Sequence, residues 1–186
     1  MLKSEQSVDY QALYHIGRSL LLAIGANPEQ DDLADTPRRF ADWWREFIEY
    51  DPGQTETCFA HNEVGQLVVV SGIRLYTLCE HHLLPFWCDA AIGYIAEQKI
   101  LGLSKFPRIA HQCAHRLQTQ ERLGAQIADE ISRITESNDI AVLLKGEHLC
   151  MAARGIRSSG SMMTLTARGT FQTPEARAEF LALATH

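Results

Sequence analysis

The chain has 186 residues, 46% hydrophobic and 22% charged, with a formal net charge of −6. That fits one globular domain of ordinary size, with or without a helical appendage, and enough apolar residues for a sizeable core. The acidic balance excludes nucleic-acid binding through a broad basic surface but permits an anionic small molecule held by a local cluster of Arg and Lys. The start Met1-Leu2-Lys3-Ser4-Glu5-Gln6 lacks the basic-then-apolar order of a secretory leader. No apolar run approaches the roughly 18 residues of a membrane span, so no membrane partner is expected. Five cysteines, an odd count without regular spacing, fit reduced thiols in a cytoplasmic chain better than a disulfide scaffold.

Leu13, Ile16, Leu20 and Ile24 repeat at helical spacing, which predicts a helix over 8–24 with Gly25 as its stop. A second helix is expected from Asp35-Thr36-Pro37, with Asp35 or Thr36 as cap and Pro37 in the first turn, running to Tyr50. Asp51-Pro52-Gly53 breaks it. This predicts an N-terminal helical segment, 1–53, followed by a domain over 54–186. Residues 54–65 read as loop. Residues 67–76 form a β-branched strand with a bulge at Ser71-Gly72, and 89–96 a second strand. Helices are expected at 103–117, with Ser104 as cap, and at 119–136, with Leu123, Ile127, Ile131 and Ile134 as its apolar stripe. Strands at 140–145 and 161–171 and a terminal helix from Thr173-Pro174 to about Ala184 complete an α+β order.

Two clusters carry metal chemistry. Cys79-Glu80-His81-His82 places Cys79 and His82 on one side of a tight turn. His148-Leu149-Cys150 ends a strand, where His148 and Cys150 are expected to share a face. Thiolate and imidazole suit a borderline-soft ion such as zinc. The paired Cys-x-x-Cys units of a closed structural site are absent, so an open site of three protein ligands is expected, with spare histidines for proton transfer. An isolated Cys or His is more often a buried thiol or a surface imidazole. Two such clusters in one chain favour a site.

Ser104-Lys105-Phe106-Pro107-Arg108 opens a helix and offers free N–H groups, a hydroxyl and two cations to an anion. Arg154-Gly155-Ile156-Arg157 follows the second metal cluster closely. Gln120 and Glu121 begin the long helix. There a carboxylate can accept two donors from a guanine-like edge or serve only as a first-turn acid.

Together these segments resemble GTP cyclohydrolase I. The resemblance is carried in order by Asp35-Thr36-Pro37-Arg38-Arg39, Leu78-Cys79-Glu80-His81-His82-Leu83-Leu84-Pro85-Phe86 and Leu101-Gly102-Leu103-Ser104-Lys105. It continues through Arg116-Leu117-Gln118-Thr119-Gln120-Glu121-Arg122-Leu123, His148-Leu149-Cys150-Met151, Arg154-Gly155 and residues 164–171 to Arg177-x-Glu179-Phe180-Leu181. It implies a tunnelling fold, in which each subunit gives four antiparallel strands and two helices and the subunits form a barrel. It further implies a homodecamer of two stacked pentamers with active sites between subunits. Cys79, His82 and Cys150 would hold Zn2+ with one position left for water, and His81 and His148 would move protons. Glu121, with Gln120 beside it, would anchor guanine. Ser104, Lys105, Arg108 and Arg154 would line the ribose and triphosphate, and Arg39 would reach a neighbouring subunit's phosphates. The implied reaction converts GTP and water to 7,8-dihydroneopterin triphosphate and formate, the first step of pterin and folate biosynthesis.

The chain departs from the family pattern in three places. Asp42 stands where a basic residue is common, Val70-Ser71-Gly72-Ile73 lacks an acid, and Trp87-Cys88 replaces a glycine-containing stretch. An acid facing a triphosphate is costly, so either Asp42 points away or the phosphate grip differs. The latter alternative is a paralogue of the same fold acting on another purine or pterin.

Overall fold

The structure, a computed structural model, describes residues 7–60, 62–63 and 65–185. Met1 to Gln6, read above for a leader, and His61 and Val64 of the expected loop lie outside the described residues. The chain divides into two units, Met1–Asp51 and Pro52–His186.

The first unit is a helix pair, α1 Tyr10–Ala23 and α2 Thr36–Ile48. Asp9 caps α1 by accepting from the Ala12 N–H at 2.9 Å, which satisfies one of the free donors of the first turn. The helices approach closely at Gly17, where a Cβ would lie 3.1 Å from the Phe40 ring. Pro37 takes the first turn of α2, where its missing N–H costs nothing. Asp35 takes the expected N-cap position, but its side chain makes no cap bond. Thr36 lies inside the helix, and the backbone of Asp35 is itself helical, at φ −86 and ψ −8. Its carboxylate instead accepts from Arg38 at 3.1 Å and pairs with Arg39 at 3.6 Å.

The second unit is α+β. Its elements are β1 Cys58–Ala60, β2 Gln66–Cys79, β3 Pro85–Ala96, β4 Lys99–Leu101, α3 Lys105–Ala114, β5 Leu117–Gln118 and α4 Gln120–Thr135. Then come β6 Ile140–His148, α5 Leu149–Ala152, β7 Ser161–Ala167, a 3-10 turn Gly169–Gln172 and α6 Pro174–Ala184. The main sheet runs β5-β2-β3-β6-β7. Strands β2, β3, β6 and β7 pair antiparallel, and β5 adds parallel to β2. The expected bulge falls between Val70 and Ile73.

Ile73, Leu75, Phe86, Cys88, Ile92, Tyr94, Val142 and Leu144 are buried on the face against which α3 and α4 pack. The predicted stripe of Leu123, Ile127, Ile131 and Ile134 is buried on α4. On the opposite face, Phe171 and Phe180 close a small cluster with Ala91 and Ala141. Phe180 needs Gly93, where a Cβ would come within 2.7 Å of its ring. The remainder of that face carries the cross-strand neighbours Arg74, Asp89 and Lys145.

Several bounds differ from the sequence reading. The 54–65 loop contains β1, which pairs with β4; strands of three residues are too short to show a period. The second strand begins at Pro85 rather than 89, because a proline is tolerated at a strand's first residue and Phe86 there pairs with Thr77 and His148. The third strand runs on to His148. The fourth ends at Ala167, and Gly169, at φ +54, turns the chain. No described helix is long and apolar enough to cross a membrane.

Candidate metal centre and active site

Strand β2 delivers Cys79 to a tight turn. The Cys79 carbonyl accepts from the N–H groups of His82 at 3.3 Å and Leu83 at 2.8 Å, while the Cys79 N–H donates to Leu84 O at 2.9 Å. Closing so short a loop puts Leu83 at φ +54, a left-handed backbone that costs a branched residue about 1 kcal/mol. His82 is thereby folded back onto Cys79, with Nδ1 3.5 Å from Sγ. The turn is pinned to the start of α4 by Arg122, which donates to Glu80, to Gln118 Oε1 at 2.9 Å and to Leu117 O at 2.9 Å. Arg122 holds the Glu80 carboxyl below its usual range through that hydrogen bond. Both residues lie in segments quoted above, but the sequence assigned neither a role, because a support of this kind has no local signature.

The second cluster differs from expectation. His148 is the last residue of β6, but Cys150 lies in the one-turn helix α5. The two side chains therefore do not share a strand face; the helical turn swings Cys150 toward Cys79. The ligand atoms of Cys79, His82 and Cys150 lie within 4.8 Å of one another. Partial burial first, and the Cys79 thiol next, push the Cys150 thiol up, while Arg154 opposes them. A cation between the two sulfurs would favour the thiolate form of Cys150. Two thiols and one imidazole, with no fourth His, Cys, Asp or Glu in the group among the described residues, fit a zinc ion in a three-ligand open site.

His81 lies beside the cluster, with Nδ1 3.9 Å from Cys79 Sγ and Nε2 3.8 Å from Glu80. His148 stacks on Phe86 at a centroid distance of 4.3 Å and an interplanar angle of 9°. Its Nε2 is 2.9 Å from Gln120 Oε1. Burial holds the imidazole below its usual range, and the nearby Glu121 charge works against that. Glu121 is exposed in the first turn of α4. The cap there is Thr119, which accepts from the Arg122 N–H, so Glu121 is not needed for capping.

Gln120, next to Glu121 at the start of α4, faces the other way. It is 1% exposed, and its amide is turned under the sheet, because position 120 falls on the buried stripe of α4 and position 121 does not. Ser104 occupies the N-cap position of α3 without a side-chain cap bond, which leaves its hydroxyl exposed. Lys105 Nζ donates to Gln54 O at 2.8 Å, and Arg108 donates to Pro52 O. Two of the expected phosphate cations thus tie down residues 52–54. Arg154 is exposed beyond Cys150. Arg39 belongs to the N-terminal unit and is exposed. Asp42 is engaged within that unit, accepting from Tyr10 Oη at 3.0 Å, Arg38 at 3.1 Å and Arg45 at 3.0 Å.

The fold and site define a class: an α+β protein that brings together, from distant segments, a Cys-His-Cys group able to hold a metal ion, with His81 beside it and His148 near the Glu121 charge. A family model described as GTP cyclohydrolase I matches residues 14–185. A relative named GTP cyclohydrolase 1 from Hyperthermus butylicus is 47% identical over 163 residues, covering 87% of this chain and 83% of its own. Relatives of the same name from Deinococcus radiodurans and Dehalococcoides mccartyi are 43% and 40% identical. They cover 89% and 96% of this chain, and 79% and 98% of their own. The chain belongs to the GTP cyclohydrolase I family and is an enzyme of that hydrolase, nucleotide-binding class.

Proposed function

We propose that this chain is a zinc-dependent GTP cyclohydrolase I, converting GTP and water to 7,8-dihydroneopterin triphosphate and formate at the head of pterin and folate biosynthesis. The observation that carries this reading is the convergence of Cys79, His82 and Cys150 within 4.8 Å next to His148 and His81. Zinc held by those three residues would supply a Lewis acid that brings water toward neutrality in pKa. The chain's own residues do the rest. Carbon 8 of the purine must take up water while nitrogen 7 takes a proton, and His148 and His81 are the proton-transfer groups. Glu121, whose charge is felt at His148, anchors the guanine edge so that the imidazole ring lies near that base. Ser104 adds a hydroxyl near the ribose. Lys105, Arg108 and Arg154 receive the triphosphate, the first two exchanging loop carbonyls for phosphate oxygens, and Arg39 serves a neighbouring subunit.

The subunits assemble as a tunnelling-fold barrel in a homodecamer of two stacked pentamers. An edge strand at β7 and a sheet face carrying Arg74, Asp89 and Lys145 support that arrangement. Five free cysteines support a cytoplasmic location.

The test is metal analysis together with product analysis. Purified protein is expected to hold about one zinc per chain and to release formate and an oxidisable, fluorescent pterin from GTP. Cys150→Ser should lose zinc and turnover; His148→Ala should keep zinc and lose turnover by about 10²–10⁴-fold. Absence of both products from GTP sinks the proposal, and turnover of a nucleoside monophosphate but not GTP would replace it with the paralogue.

A further inference from the structure

The buried Gln120 amide has an orientation that its surroundings dictate. Its nitrogen lies 3.1 Å from Leu144 O, 3.0 Å from Met162 O and 3.2 Å from Thr164 Oγ1. Backbone carbonyls only accept. Flipping the amide would set its oxygen against two carbonyl oxygens at a side chain only 1% exposed, which costs a buried polar group its partners. The nitrogen therefore belongs on the side of β6 and β7, and Oε1 belongs toward His148, 2.9 Å from Nε2. An amide oxygen also only accepts, so Nε2 of His148 must carry a hydrogen. A neutral imidazole carries one hydrogen, which leaves the lone pair on Nδ1.

The site is shaped for that amide. Gly146 pairs with Cys88 across β6 and β3. A Cβ at Gly146 would overlap Gln120 Oε1 and come within 2.8 Å of Cys88 Sγ. The missing side chain at 146 is what makes room for the amide beneath the ring, and the buried Cys88 thiol closes the space beside it. Phe86 fixes the ring plane from the neighbouring strand.

We infer that Gln120 is a positioning residue that holds His148 as the Nε2–H tautomer, so that Nδ1 is the atom through which His148 exchanges a proton with the substrate. The inference rests on the reading of His148 as a proton-transfer group in a GTP cyclohydrolase. It removes the Gln120 side chain from the residues that grip guanine and leaves that task to Glu121.

Neutron diffraction from deuterium-exchanged crystals of the zinc-loaded protein, under alkaline conditions where imidazole is neutral, reads the tautomer without any variant. Deuterium on His148 Nε2 with Nδ1 bare, and an ND2 group on Gln120 facing β6 and β7, is the expected result. Deuterium on Nδ1 alone, or the ND2 group turned to His148, overturns the inference. Kinetics on zinc-loaded Gln120→Leu and Gly146→Ala give a second reading. Each should lower kcat for GTP by about 10²–10³-fold with KM changed less than about threefold and zinc content unaltered. A raised KM at unchanged kcat would mark Gln120 as a ligand-binding residue and overturn the inference, as would kinetics unaltered in both variants. Failure of the parent protein to turn over GTP would instead sink the functional proposal, while the tautomer remains measurable.

Discussion

Gly169 illustrates how much a single position depends on what lies opposite it. It sits at φ +54, and a Cβ there would overlap Asp139 Oδ1 and approach Asn138 O at 2.8 Å. Asp139 Oδ1 is in use, accepting from the Thr170 N–H at 2.6 Å. Gly25 is also left-handed, at φ +82, but a Cβ would meet nothing within 4 Å. Gly25→Ala should therefore cost only the backbone strain, about 1 kcal/mol. Gly169→Ala adds the displaced carboxylate and should cost about 2–4 kcal/mol. Urea unfolding of both variants at one protein concentration checks this; equal losses would mean that the Asp139 contact contributes nothing. Gly25 can be read in the sequence as a helix stop, whereas Gly169 falls inside the expected strand 161–171. Their different costs cannot be read there, because Asp139 reaches Gly169 only through the pairing of β6 with β7.

Helix α3 shows the same division. Its existence follows from periodicity and from the Ser104 start, but its length does not: it stops at Ala114, after which residues 117–118 pair with β2. The shortened helix ends on His111 and His115, whose rings lie 5.8 Å apart. Burial first, and His115 second, hold the His111 imidazole below its ordinary value of 6.5. In the unfolded chain the group protonates near that ordinary value, so on acidification the unfolded state binds the proton first. Stability is then complete above about pH 6.5 and falls as the pH drops through 6.5 toward the lower folded value. Thermal midpoints measured across mildly acidic pH should fall less steeply in His111→Gln than in the parent. Equal slopes would show that this burial has no thermodynamic weight. The elements missed altogether, β1, β4, β5 and α5, are each four residues or fewer, too short for any period to be visible.

Across the whole chain, a metal ion held by Cys79, His82 and Cys150 would join the β2–β3 turn to α5, segments that an unfolded chain does not hold together. A ligand that binds only the assembled site stabilises it by mass action, about 2.7 kcal/mol at a hundredfold excess over Kd. Stripping metal with a chelator should lower the thermal midpoint and abolish turnover. Zinc should restore both, and magnesium, which prefers oxygen ligands and near-octahedral geometry, should restore neither. An unchanged midpoint after metal removal would mean that the ion plays no part in holding the two segments.

Residue chemistry in order along the chain was enough to single out the two Cys/His clusters, the carboxylate at Glu121 and the succession of the longer helices and strands. Those are matters of side-chain type and local spacing. The family resemblance narrowed the clusters to Cys79, His82 and Cys150, which the fold brings together. Other features needed the folded chain: the swing of Cys150 into a helical turn, the pinning of Glu80 by Arg122, the pairing of Asp42 with Tyr10, Arg38 and Arg45, and the inward turn of Gln120 beneath His148. Each depends on which groups meet across strands and helices distant in sequence. A hydrogen bond's direction, unlike a residue's identity, exists only once both partners are in place.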